Sequence, residues 1–529
     1  MKEGFPIIAY AVVCAITVGT LSVEAAEFYI APGGSNGNNG SLSSPWGTFD
    51  YAIDHIDPGD TLFVRGGTYN LNSRIQIRNN EGGTSTNPIN IWAFPGELPV
   101  LDFDTMSNSL WGQSSGRGIQ IDEGANYLHL KGLTIQNARD NGIWSGANYG
   151  IFDQLVTRWN GDSGVQLSGF AAYNQIINTD SYENYDPSAN GENADGFAIK
   201  FQDLGPGNSV RGSRAWGNSD DGWDMWGSNG GALVEDCWSF DNGKLLPQFF
   251  AKDALEANNL TAGNFQGDAT GFKLGQDGGA HVLNRVLAWE NRNGIDINGN
   301  GTGVVVNNSV GFNNTRNWYF DETASQTQNL HVLKNNISYN GANSDVFLSG
   351  VIHTFNTWNG IPVDATDFLS LDDTIARGPR NPDGSLPTSD FLRLVSGSNL
   401  IDAGTDVGLL FNGSAPDLGA FETVPFMFAA GDFNEDSFVD SADLVRWQTG
   451  YGMTSGATHG DGDADEDGDV DGIDFLVWQR EYMPTSSPSS STAAVPEPTT
   501  VLFVIFSTVA LSIQRHSYLQ FSHVESQDA

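Results

Sequence analysis

Between about residues 120 and 350 the chain repeats one short pattern: a glycine, an apolar residue, a variable residue, a second apolar residue and, further on, an Asn-rich turn. Gly142-Ile143-Trp144, Gly164-Val165-Gln166-Leu167, Gly196-Phe197-Ala198-Ile199, Gly222-Trp223-Asp224-Met225, Gly271-Phe272-Lys273-Leu274 and Gly294-Ile295-Asp296-Ile297 align on the glycine, at spacings of 22, 32, 26, 49 and 23 residues. Alternation of period two inside each unit predicts a short strand, and a repeat in the low twenties predicts one coil of a parallel β-solenoid. The long interval fits a coil of 24 residues if the irregular stretch 244–268, 25 residues long, loops out. Gly222 and Gly271 then start neighbouring rungs.

Ahead of the repeats, a Gly/Asn loop is followed by Ser44-Pro45, which predicts a helix start, with Phe49, Ala52, Ile53 and Ile56 facing inward as a cap. The strands are expected to begin at Thr61–Val64. After Phe428 the composition turns acidic, then Ser/Thr/Pro-rich, then apolar. These shifts divide the chain into a leader (1–26), a solenoid (27–424), acidic repeats (429–483), a linker (484–494), an apolar segment (495–516) and a tail (517–529).

Stacked coils place equivalent positions about 4.8 Å apart, so residues distant in sequence share one face. Positions one and three after each glycine point inward and position two points outward. The outward column holds Trp144, Gln166, Ala198, Asp224, Lys273 and Asp296, and the column before the glycine holds Asp195, Asp221 and Thr270, with Asp220 beside it. Asp195, Asp220, Asp221 and Asp224 therefore converge, and four carboxylates so close require a cation. Calcium suits an all-oxygen set of loose geometry; magnesium demands a stricter octahedron, and zinc would want His or Cys. Lys273 stands one rung from Asp224. Calcium and partial desolvation would both lower its pKa, making it a general base for the proton α to a uronate carboxylate, with β-elimination of the C4 oxygen following. Lys200, Arg292 and Arg316 are candidates for gripping substrate carboxylates. Trp226 is a candidate sugar platform, whereas Trp223 falls in an inward column and reads as core.

Composition adjusts this picture in two ways. The 64 glycines suit many tight turns between short strands, and a net charge of −40 leaves no basic surface for nucleic acid. Such acidity also repels an anionic polysaccharide unless cations line the cleft. Lys2, the apolar run from Ile7 to about Leu21 and Val23-Glu24-Ala25-Ala26 predict an export signal cut after Ala25 or Ala26. Cys14 would leave with it. Cys237 then stands alone and no disulfide framework is expected.

The motifs NADGFAIKFQ (193–202), NSDDGWDMW (218–226) and TGFKLGQDGG (270–279) resemble those of the pectate lyases of polysaccharide lyase family 9. The resemblance spans residues 27–422, including the terminal IDAG and PDLGAFE segments. It implies a right-handed parallel β-helix, calcium on Asp195, Asp220, Asp221 and Asp224, Lys273 as Brønsted base, and pectate or a related polyuronate as substrate. Two rival readings remain. In a β-helical glycoside hydrolase Asp220 and Asp221 would be the paired carboxylates, although no Gly-His-Gly or Arg-Ile-Lys element is present. The other is a polysaccharide-adhering β-helix without catalysis.

Asp432, Asn434, Asp436, Asp440 and Asp443 fall at positions 1, 3, 5, 9 and 12 of a calcium loop, and Asp463, Asp465, Asp467, Asp471 and Asp474 repeat it 31 residues later. Each is followed by an apolar helix start. The pair, an EF-hand-like module, resembles a type I dockerin, with Ser437 where glycine is usual and Asp in place of the final Glu; the resemblance implies a cohesin-like partner. Val495-Pro496-Glu497-Pro498, the apolar run Val501–Ile513 and Arg515 resemble a PEP-CTERM sorting signal, implying sorting machinery as a partner.

Overall fold

The computed structural model describes residues 25–256, 259–276, 278–321, 331–423, 429–434, 439–465 and 467–482. The expected leader up to residue 24, Asp436 of the first acidic loop, and the linker and sorting segments lie outside the described residues. Two compact units, 1–425 and 426–529, are separated by their contacts.

The first unit is a parallel solenoid of three sheets, one of twelve strands and two of ten. Successive strands of a coil belong to successive sheets, so every pairing within a sheet joins one coil to the next. The sheet that carries the glycine repeats contains Ile75–Ile77, Ile119–Ile121, Ile143–Ser145, Val165–Leu167, Phe197–Ile199, Trp223–Asp224, Thr270–Lys273, Asn293–Asp296, Arg316–Phe320 and Val346–Phe347. Its register matches the column expected from sequence at every step: Trp144 pairs with Gln166, Gln166 with Ala198, Ala198 with Asp224, Asp224 with Lys273 and Lys273 with Asp296.

Inward positions form the core. Phe197, Trp223 and Phe272 are fully buried and stack with ring centroids 4.7 Å apart at both steps. Trp223 is therefore a core residue. The repeated glycine has a steric cause: a Cβ on Gly142, Gly196, Gly222 or Gly271 would sit between 2.5 and 2.7 Å from the carbonyl oxygen of the next coil. The Asn-rich turns before these strands form a buried ladder in which the side-chain amides of Asn160, Asn184, Asn218, Asn242, Asn291 and Asn314 each donate to the next asparagine. Each ladder oxygen also accepts a backbone N–H of the preceding coil, as Asn218 Oδ1 does from Asn184 N, so turns without sheet bonding still satisfy their polar groups.

The cap differs from expectation in two details. Its helix α1 (Phe49–Ile53) begins beyond Ser44-Pro45, with Thr48 as its N-cap. Ser44 instead bridges to Ser41 in a tight loop, because Trp46 is drawn inward to stack on Phe28 at 4.7 Å. The strands begin earlier than Thr61: Glu27–Ile30 pairs in parallel with Thr61–Val64. The stretch 244–268 does loop out, and it carries a second helix, α2 (Pro247–Glu256). Beyond the last coil the chain returns along the third sheet, where Phe368, Phe391 and Leu400 pack on Trp289 and Phe312, and Arg377 pairs with Asp373, Asp241 and Glu290.

In the second unit two helices, α3 (Ser441–Gly450) and α4 (Gly472–Glu481), each follow an acidic loop. Asp440 and Asp471 cap them, accepting from Ala442 N and Ile473 N, while Asp443 and Asp474 complete reciprocal capping boxes.

A buried aspartate and lysine cluster on the repeat sheet

Three coils deliver the candidate site. The turn before Phe197–Ile199 supplies Asp195; the turn before Trp223–Asp224 supplies Asp220 and Asp221, and the strand itself Asp224; the next strand supplies Lys273. The asparagine ladder anchors the chain upstream of each turn, which holds the carboxylates in place. Asp195 and Asp221 are wholly buried, and Asp220 and Asp224 are 3% exposed. Ligand oxygens of Asp195, Asp221 and Asp224 lie within 4.8 Å of one another, and so do those of Asp220, Asp221 and Asp268.

Both lysines of the motifs enter the cluster. Lys200 Nζ is 2.8 Å from Asp195 Oδ2 and 2.9 Å from Asp224 Oδ2. Lys273 Nζ is 3.0 Å from Asp221 Oδ2 and 3.0 Å from Asp268 Oδ2. Backbone donors anchor the remaining oxygens: Thr270 N to Asp221 Oδ1 at 2.7 Å, Asp268 N to Asp220 Oδ1 at 2.6 Å and Trp226 N to Asp224 Oδ1 at 2.8 Å. Asp221 Oδ2 is buried without a well-directed hydrogen bond, although the Lys273 ammonium is near.

The electrostatics show a cluster with more negative charge than its lysines balance. Burial, and then the charge of Asp195, push Asp220 up to about 7. Burial likewise raises Asp195 to about 6, against the pull of Lys200. Asp224 goes the other way: burial works to raise it, but Lys200 and Lys273 hold it below the usual carboxylate range. For Lys273, burial favours the neutral amine, yet Asp221, Asp224, Asp220 and Asp268 outweigh it and hold the ammonium well above the ordinary range. That direction is opposite to the one expected for Lys273 from the sequence, because four aspartates act on the amine and one of them, Asp268, stands outside the repeat columns. An all-oxygen donor set, a buried unsatisfied carboxylate oxygen and raised carboxyl pKa values are what a hard divalent cation would relieve, so these residues fit calcium.

Among the other sequence candidates, Lys200 stands inside the carboxylate cluster and is buried, Arg292 is exposed in the turn before Asn293–Asp296, and Arg316 lies over the Tyr319 ring at 4.5 Å. Trp226 is 43% exposed beside Asp224, edge-on to Phe201 and with its indole N–H donated to Gln276. The sequence pattern alone does not single out Asp268. It lies at the end of the stretch expected to loop out, and only its proximity to the repeat glycine Gly271 hints at its place.

Residues 28–340 match the family described as "Pel9A-like, right handed beta helix region". The chain belongs to this family. It is 35% identical over 404 residues to pectate lyase L of Dickeya dadantii (strain 3937), covering 75% of this chain and 90% of that one. Pectate lyase L of Paenibacillus polymyxa (strain SC2) is 33% identical over 414 residues, covering 73% and 85%. Among solved structures, the crystal structure of pectate lyase Pel9A superposes with a TM-score of 0.67 at 34% identity, covering 75% of this chain and 96% of that one. The Pel9A-like chain is thus a pectate lyase-like lyase, and its β-helix is the fold of that family.

In the second unit, Asp463, Asp465 and Asp474 bring carboxylate oxygens within 4.8 Å of one another, as do Asp469, Asp471 and Asp474. Asp443 occupies the equivalent place in the first loop, accepting from Asn434 N and Asp440 N at 3.0 and 2.8 Å; Asp432 is buried, and Asp467 lies in the loop before α4.

Proposed function

We propose that the protein is an exported, calcium-dependent lyase that cleaves polygalacturonate or a related polyuronate by β-elimination, with Lys273 as the base. The observation that carries this is the in-register placement of Asp224 and Lys273 above a buried carboxylate cluster on the outward face of the repeat sheet. Asp195, Asp220, Asp221 and Asp224 would hold the cation, which supplies charge neutralisation for the uronate carboxylate and for the aspartates that otherwise keep Lys273 protonated.

Lys273 Nζ, neutral in the loaded site, removes the C5 proton. The C–H electron pair becomes the C4–C5 double bond, the C4–O bond breaks, and the departing oxygen takes a proton from solvent. No water is added across the bond, so the new non-reducing end is unsaturated and absorbs ultraviolet light. Trp226 offers an apolar face beside the cluster, and Arg292 and Arg316 supply positive charge on the coils that follow, which an anionic polymer needs on a chain of net charge −40.

Export rests on the pattern of residues 2–26, and a sorting role for 495–516 on its resemblance alone. The acidic repeats would bind calcium through their loops and present α3 and α4 to a cohesin-like partner; the converging carboxylates of the second loop support the calcium part.

Lys273→Ala tests the enzymatic reading directly. The variant is expected to lose ultraviolet-absorbing product on polygalacturonate by about a hundredfold or more. Retained product formation, or wild-type cleavage without unsaturated ends, would overturn it.

A further inference from the structure

The insertion 244–268 returns to the solenoid as a strap laid across the turns that carry the aspartates. Gln266 N donates to Asn190 O at 3.1 Å, and Asp268 N donates to Asp220 Oδ1 at 2.6 Å. Two glycines permit so close an approach. A Cβ on Gly191 would lie 2.5 Å from the Phe265 ring, and one on Gly267 would overlap the Ser219 carbonyl oxygen. Phe265 also packs on the satellite cluster of Tyr185, Phe249 and Leu260, so apolar contact anchors the strap as well as hydrogen bonds.

The strap delivers Asp268 to Lys273. Lys273 Nζ donates to Asp268 Oδ2 at 3.0 Å, and this is the one hydrogen bond that the amine makes among the described residues. Asp221 Oδ2 is equally near, at 3.0 Å, but accepts no directed hydrogen bond. The other cluster oxygens have different donors: Lys200 takes Asp195 Oδ2 and Asp224 Oδ2, and backbone N–H groups take Oδ1 of Asp220, Asp221 and Asp224. The Asp268 side chain is 51% exposed against 10% for Lys273, which puts its carboxylate at the rim of the cluster. A lysine stem is long and flexible. A neutral amine has two N–H groups and a single lone pair, so fixing an N–H restricts the direction from which the lone pair can take a proton.

We propose that Asp268 is a positioning residue for the elimination: by accepting from Lys273 Nζ it holds the amine in the orientation that meets the C5 proton, and the strap 265–268 holds Asp268 there. The proposal rests on Lys273 as the base. Orientation of this kind acts on the chemical step and leaves the affinity for polymer unchanged.

The backbone donor at position 268 survives any replacement of the side chain, so Asp220 keeps its contact and the carboxylate alone is tested. Asp268→Ala, in the full chain with calcium and polygalacturonate, is expected to lower kcat about tenfold or more while KM stays within about twofold of wild type. Asp268→Asn, whose amide oxygen can accept the same hydrogen bond, is expected to recover most of that loss. Both variants should melt close to wild type and keep the wild-type rise in melting temperature on adding calcium. Three results would overturn the proposal: a kcat for Asp268→Ala within about twofold of wild type, an Asp268→Asn no better than Asp268→Ala, or loss of most of the calcium-induced rise, which would make Asp268 a ligand of the cation. Failure here is separable from failure of the base assignment. An inactive Lys273→Ala beside a fully active Asp268→Ala rejects the positioning role alone, whereas an active Lys273→Ala rejects both.

Discussion

Asp224 and Lys273 face each other in register on adjacent parallel strands, although 49 residues separate them in the chain. Sequence distance is taken up by a loop that leaves the coil and returns, so the column on the sheet is unbroken. The consequence is chemical: a lysine meets a ring of buried carboxylates that cannot all stay ionised, and Asp221 belongs to both carboxylate groupings.

Asp221 therefore gives the cleanest test of the cation. Calcium should raise the melting temperature of the full chain, and a ligand at a hundred times its Kd adds about 2.7 kcal/mol of stability. Asp221→Asn should lose most of the shift belonging to the β-helix transition, leaving only what the acidic repeats contribute. An unchanged calcium shift of that transition in Asp221→Asn would remove calcium from this site.

His281 predicts a specific acid sensitivity. It is wholly buried, its Nδ1 accepts from Ala232 N at 3.0 Å, and burial lowers its pKa to about 4. A folded pKa below the unfolded value of 6.5 means that the unfolded chain binds more protons between about 4 and 6.5. The stability from neutral His281 is complete above that window and is lost as pH falls through it, by an amount on the order of 3 kcal/mol. Urea midpoints measured across the window should fall more steeply for wild type than for His281→Asn, whose amide oxygen can still accept from Ala232. Parallel curves would show that His281 is not the group responsible.

The asparagine ladder makes a stability prediction close to the site. Asn218 Oδ1 accepts from Asn184 N and Nδ2, and its own Nδ2 donates to Ser181 O and Asn242 Oδ1. Asn218→Ala orphans several of these buried groups at about 1–3 kcal/mol for each. Thermal unfolding should shift down clearly. Because Asp220 and Asp221 follow in the same turn, kcat/KM should fall as well; a variant with normal melting would show that the ladder is not holding the turn.

The repeat glycines make the sheet register legible in sequence, because a missing Cβ at a coil contact leaves a fixed mark and the flanking apolar residues alternate around it. The columns of Asp195, Asp221, Asp224 and Lys273 follow from that alone. What stays hidden has no such mark. Asp268 sits in the stretch that departs from the repeat, where no period assigns a face. The direction of the Lys273 shift is hidden for a different reason: it depends on the number of carboxylates that reach the amine, and Asp268 is one more than the columns contain. The helix start after Thr48 is not legible because Pro45 is a common first-turn residue, while here Trp46 inside the cap sets the chain direction.

Trp226 separates substrate binding from chemistry. Its backbone N–H holds Asp224 Oδ1 at 2.8 Å, whereas its side chain is 43% exposed and touches no carboxylate of the cluster in any ion pair or hydrogen bond described. Replacing the ring keeps the backbone donor, so the aspartates and Lys273 should stay in position. Trp226→Ala is expected to raise KM for polygalacturonate several-fold and leave kcat nearly unchanged, the pattern of lost uniform binding. Initial rates of unsaturated product over a range of substrate concentrations give both constants. A fall in kcat with KM unaltered would mean that the indole acts on the reacting sugar or on the Asp224 position, and the platform role would be wrong.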